Sequence, residues 1–168
     1  SRTIWPYLLI ASIASLSQAS LLQSIGFYVF DMFSNYDDLP IIVSTSFAIL
    51  AISTIVSQYL FTDAFPVNNF KLLLYGTFLI IFSFFTMAYF PKLSVYYLSL
   101  LINGLGGGMI RPAISSSLSF AQIPENQGSA AGYLGSVYPI GHMLTPFLAM
   151  PIYAFNPSYL YFFNSILS

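Results

Sequence analysis

Charge is what this chain has least of. In 168 residues there are 4 basic and 5 acidic side chains, so charged residues make up 5% of the sequence, where a soluble domain carries roughly 25%. So few ions cannot cover a water-facing surface. A formal net charge of -1 supplies no basic field, which argues against a nucleic-acid partner. Cysteine is absent. That excludes disulfides, thiolate metal sites and cysteine nucleophiles, and leaves the redox compartment open. The single histidine has no acid or second histidine spaced to share a metal with it, so neither a metal nor a cofactor is expected. The opening Ser1-Arg2-Thr3 is not the Met and basic region of a signal peptide.

What fills the chain instead is apolar. Hydrophobic residues are 57% of it. The stretch 70–90, FKLLLYGTFLIIFSFFTMAYF, has no charge after Lys71 and no consistently polar face. At about 1.5 Å per residue it spans a hydrocarbon core of roughly 30 Å. The lipid bilayer is therefore this protein's solvent and first partner, and this helix is expected on the outside, facing lipid.

Five further runs share that scale: 5–33, 40–61, 93–121, 127–153 and a short piece from 158 to 168, separated by polar breaks. Transmembrane β-strands would read as alternating segments of about 10 residues; these runs are longer and show no period of two. The fold class is all-α, a polytopic transmembrane helix bundle of about five full helices and a truncated sixth. The sequence is read as a single transmembrane domain, 1–168, cut from a longer protein. Lys71 and Arg2 at one end against Asp31, Asp37 and Asp38 at the other fit cytoplasmic placement of the first end.

Polar residues inside the runs are the candidate functional positions. In the first run Ser12, Ser15, Ala19, Gln23 and Gly26 share one face at about 100° per residue. Such a stripe is either a helix–helix contact or a cavity wall, and Gln23 favours the cavity because an amide in lipid is costly. Ser46, Ser53 and Ser57 in the second run form a packing seam. In the fourth, Asn103 precedes Gly104, Gly106, Gly107 and Gly108, with Arg111 and Pro112 following. This is either a bent, tightly packed helix or a substrate-facing break. No Gly-Lys-Ser/Thr ending supports a phosphate loop.

Arg111 is the one cation deep in a hydrophobic run, at a cost of about 2.5–3.5 kcal/mol on insertion scales. It either snorkels to the interface or faces a polar cavity, meeting an anion or a carboxylate from elsewhere. His142 stands alone in the fifth run, either a hydrogen-bonded packing residue or a proton relay. Gly128, Gly132, Gly135, Ser136 and Pro139 form a small-residue seam that predicts close approach of a neighbouring helix.

The segment 104–153, GLGGGMIRPAISSSLSFAQIPENQGSAAGYLGSVYPIGHMLTPFLAMPIY, resembles the tenth and eleventh helices of major facilitator superfamily transporters, in the flavour of drug:proton antiporters such as tetracycline efflux proteins. The resemblance lies in the glycines before Pro112, the serine-rich helix end, the Pro124-Glu125 turn, Gly128, and Gly141 to Pro146. The last resembles the antiporter motif GxxxGPxxGG with Thr145, Ala149 and Met150 replacing its other glycines. The place of the family's basic loop, 57–76, lacks most of the arginines, as in the C-terminal half.

The resemblance implies helices seven to eleven and the start of twelve, with the N-terminal half missing. It implies a secondary transporter in a bacterial cytoplasmic membrane, exporting small organic molecules or drugs against protons by alternating access. An uptake permease, or a receptor or scaffold relative that does not transport, is the alternative. The substrate-pathway candidates are Ser15, Gln23, Asn103, Arg111 and His142. Gly104, Gly106, Gly107, Gly108, Pro112, Gly128, Gly132, Gly135, Pro139, Gly141 and Pro146 are structural. No catalytic residue is expected: an intramembrane protease would need its serine and histidine on facing helices, whereas Ser136 and His142 share one helix on poorly matched faces.

Overall fold

The computed structural model describes residues 4–64, 67–121 and 127–168. Arg2 and the Pro124-Glu125-Asn126 turn lie outside them. The described residues form six α-helices: α1 Trp5–Met32, α2 Leu39–Gln58, α3 Asn69–Tyr89, α4 Leu93–Phe120, α5 Gln127–Phe155 and α6 Pro157–Leu167. A π-helical turn, Tyr59–Ala64, continues α2. No strand occurs among the described residues.

Local chemistry sets where the helices begin. Pro6, Pro40 and Pro157 sit in the first turns of α1, α2 and α6, where a missing N–H costs nothing. The side chains of Asn68 and Asn156 accept from the N–H groups of Phe70 and Ser158, at 2.9 and 2.8 Å, and so cap α3 and α6. Four helical spans, Trp5–Met32, Leu39–Phe61, Asn69–Tyr89 and Leu93–Phe120, are long and apolar enough to cross a membrane. The chain is an integral membrane protein.

α4 is the hub. It packs along α3 and α2, while α1 packs along α5, and α6 closes against α3 and α5. The α1–α2 and α3–α4 connections meet at one end of the bundle, where Asn35 and Tyr36 share a cleft with Pro91, Lys92 and Tyr97. Beneath that cleft is an aromatic plug. Tyr28 stacks on Tyr96 at 5.3 Å and meets Tyr161 edge-on at 4.9 Å. Its hydroxyl donates to the carbonyl of Met87 at 3.1 Å.

α3 lies on the outside, as its sequence predicts. Phe78, Phe82 and Phe85 are 66%, 46% and 43% exposed, while Gly76, Ile80, Ser83 and Phe84 face the bundle.

The structure bears on two small-residue segments. α4 is continuous from Leu93 to Phe120 through Pro112, so the glycine-proline segment is not a break. Its glycines let helices close up. A methyl on Gly106 would lie 2.7 Å from the carbonyl oxygen of Gly76, and one on Gly108 would lie 2.6 Å from that of Thr54; one on Gly104 would strike Ser53. In α5 the expected neighbour of the seam is not among the described residues. Gly128, Gly132 and Gly135 have nothing within 4 Å of an added methyl, and Ser136 and Pro139 are exposed. The described residues supply no helix against that seam, because α1 takes the opposite flank of α5, where Gly141 rests on Ser15.

Candidate functional site

Helices α1 and α5 are tied at three successive levels. Ser15 Oγ donates to the carbonyl of Tyr138 at 2.9 Å, Gln23 Nε2 donates to the carbonyl of His142 at 3.0 Å, and Tyr153 Oη donates to the Asp31 carboxylate at 2.6 Å. The small residues at 15 and 141 bring the two backbones close enough for these bonds. Ser15 is therefore part of a helix contact, and Gln23 is half-buried with its amide N–H occupied. His142 contributes its carbonyl to the tie. Its ring bonds to no described residue.

Asn103 lies inside the bundle, fully buried. Its Nδ2 donates to Ser83 Oγ at 2.7 Å and its Oδ1 accepts from Gln18 Nε2 at 3.0 Å. One side chain thus joins α3, α4 and α1. Two amides in apolar surroundings satisfy each other there, which removes the cost of burying either alone.

Arg111 is exposed, two turns along α4 from Asn103. Its guanidinium sits over the Tyr138 ring, 5.1 Å from the centroid, a cation–π contact that partly offsets loss of water. No carboxylate among the described residues pairs with it. The Tyr138 hydroxyl is buried without a hydrogen-bond partner. Gly107, one turn before Arg111, leaves room for Gln18 on α4: a methyl there would lie 3.2 Å from Gln18 Nε2. Gln18, Gly107, Arg111 and Tyr138 consequently gather where α1, α4 and α5 meet.

Of the five pathway candidates, Arg111 belongs to this exposed polar patch. Ser15, Gln23 and His142 belong to the α1–α5 contact beside it, and Asn103 supports it from behind. Gln18 and Tyr138 were missed by sequence reasoning. Gln18 carried the same signal as Gln23, an amide in an apolar run, but lies off the small-residue stripe. Nothing in the sequence distinguishes Tyr138 from the other 12 tyrosines.

Among the described residues, no group of three His, Cys, Asp or Glu side chains could hold a metal ion. Ser136 Oγ donates to the carbonyl of Gly132 at 3.0 Å, within its own helix, rather than to a histidine. The described residues thus form an all-α bundle of six helices with a charged, exposed patch where three of them meet.

Comparison with solved structures shows where the same fold occurs. A mutant of the peptide transporter POT in complex with sulfate superposes with a TM-score of 0.84 at 16% identity, over 98% of this chain and 35% of that one. The same mutant alone gives 0.85 at 15% identity, over 99% and 36%, and its complex with alafosfalin gives 0.79 at 16%, over 98% and 37%. This chain spans about a third of the length of those transporters. No protein-family model and no curated protein sequence matches it.

Proposed function

We propose that this chain is one six-helix half, in the C-terminal position, of a secondary active transporter that moves small organic molecules by alternating access. The observation that carries the reading is Arg111. It is a cation exposed on the surface of a membrane bundle, held over Tyr138 and unpaired within the described residues. A charge in hydrocarbon costs several kcal/mol, so this face is suited to a water-filled space between two halves rather than to lipid. The fold likeness over nearly the whole chain supports the same assignment.

On this reading the unfilled glycine seam of α5 meets the other half, and the pathway is shared between halves. Proton-coupled export of drugs in a bacterial cytoplasmic membrane is the finer form of the proposal. It draws on the resemblance of 104–153 to drug:proton antiporters. The coupling acid would then belong to the other half, because the one described carboxylate in α1, Asp31, is bonded to Tyr153 at a bundle end. Uptake is the second reading, favoured by the solved neighbours being described as a peptide transporter.

The test is reconstitution of the full-length protein in liposomes with an imposed pH gradient, following labelled drugs and dipeptides. Saturable flux that collapses with the gradient is expected, outward for export and inward for uptake. Absence of any saturable flux in protein shown to be folded leaves a receptor or scaffold relative instead.

A further inference from the structure

The patch around Arg111 is more selective than a lone charge. A guanidinium presents five N–H donors in a planar fork and accepts nothing. None of those donors bonds to a described residue, and the ring of Tyr138 holds the group in place from one side. An arginine fixed in this way and left without a carboxylate is ready to receive an oxyanion through two parallel bonds.

Gln18 adds a second recognition element. Its Nε2 is committed to Asn103, and Asn103 is committed in turn to Ser83. With Nε2 so engaged, Gln18 Oε1 has no described partner. The amide lies against Gly107. Gly107 and Arg111 are one helical turn apart, so the point of α4 that Gln18 touches and the point that carries Arg111 are neighbours on one side of that helix, roughly 6 Å apart. The absence of a side chain at Gly107 lets the Gln18 amide approach this side of α4.

We infer that Gln18, Arg111 and Tyr138 form a recognition site for a small organic carboxylate that carries an N–H donor a few bonds from its acid group. This deepens the transporter reading and rests on it for the water that reaches the patch. The acid meets Arg111, the N–H meets Gln18 Oε1, and the Tyr138 ring is the apolar wall beneath. Cationic and neutral lipophilic compounds are disfavoured, the first by repulsion from Arg111 and the second by leaving its donors unpaired.

The experiment measures binding to the full-length protein in nanodiscs with three probes: N-acetylphenylalanine, its neutral carboxamide, and 3-phenylpropionate, which keeps the acid and lacks the N–H. N-acetylphenylalanine is expected to bind about tenfold or more tighter than the carboxamide. Arg111→Gln should abolish that margin while carboxamide binding stays at its wild-type value, which also shows that the variant is folded. Arg111→Lys should keep part of the margin, since it keeps the charge and loses the fork. Gln18→Met should remove the preference for N-acetylphenylalanine over 3-phenylpropionate.

An oxyanion could also come from a lipid phosphate, so each measurement is repeated with anionic lipid in the disc. The free carboxylate is the ligand if its binding is unchanged. Loss of binding to anionic lipid overturns the assignment, as do equal affinities for acid and carboxamide, a margin that survives Arg111→Gln, or no binding by any probe. A preference over 3-phenylpropionate that persists in Gln18→Met overturns the three-residue site. Flux of a non-anionic compound without the Arg111-dependent margin sinks the site and spares the transporter; the margin without any flux does the reverse.

Discussion

At Gly106 a single added methyl would lie 2.7 Å from the carbonyl oxygen of Gly76 and 2.9 Å from Ile80 Cγ1. A backbone oxygen in a packed helix cannot move away at small cost. Gly106→Ala should therefore destabilise the α3–α4 pair by about 1–3 kcal/mol, read as a lower midpoint in detergent-induced unfolding. Gly135→Ala, with nothing within 4 Å, should leave that midpoint unchanged in the isolated chain. If it lowers stability or activity only in the full-length protein, the α5 seam meets a helix from outside this chain. Asn103 offers a second test at this scale. Asn103→Leu removes two interhelical bonds and strands the Gln18 amide, at about 0.6–1.7 kcal/mol per bond in a membrane. Wild-type unfolding in Asn103→Leu would mean that α1 and α4 do not depend on this link. The glycine and asparagine signals were visible in the sequence, but their meaning was not. The same run of glycines suits a broken helix or a tight one, and the neighbours of each glycine decide between them.

Among the helices, α3 shows most plainly what can be read in advance. Its uniform apolarity announced a membrane span and an outer position. Which side faced protein was hidden, because in lipid the inward face is marked by small and hydroxyl residues rather than by greasy ones. Gly76 and Ser83 mark it here, with Phe84 buried between α3 and α6 near Tyr161. Phe84→Ala should cost about 3–5 kcal/mol as a filled core site is emptied. Phe78→Ala, at a residue 66% exposed, should change the unfolding midpoint little. Equal effects at the two sites would contradict the outward orientation of α3. The prolines of α4 and α5 were harder. Pro112, Pro139, Pro146 and Pro151 all sit within continuous helices, since neighbouring helices and local adjustment can accommodate the missing N–H in a membrane.

For the molecule as a whole, the exposed Arg111 and the empty flank of α5 point the same way. Arg111 is a charge that a bilayer does not suit, and the α5 flank is a small-residue surface that a second helix would fill. Arg111→Ala in the full-length protein should insert normally and lose most transport. The check is flux normalised to membrane-inserted protein, and wild-type flux would return Arg111 to a role at the interface. The chain by itself, placed in liposomes, should give no saturable flux, because a site shared between halves is absent from one of them.

Length, hydropathy and the near absence of charge were enough to fix the solvent, the helical class and the span boundaries. In hydrocarbon every backbone bond must be satisfied locally, and a helix does that whatever its neighbours are. Even the outer position of α3 follows from that one-dimensional record. Pairing does not. That α1 lies along α5, that Gln18 reaches Asn103, and that Tyr138 sits beneath Arg111 depend on contacts between helices, the first two joining residues 123 and 85 positions apart. Such contacts are selected by shape, by which glycine leaves room for which side chain, and shape exists only once the helices are assembled.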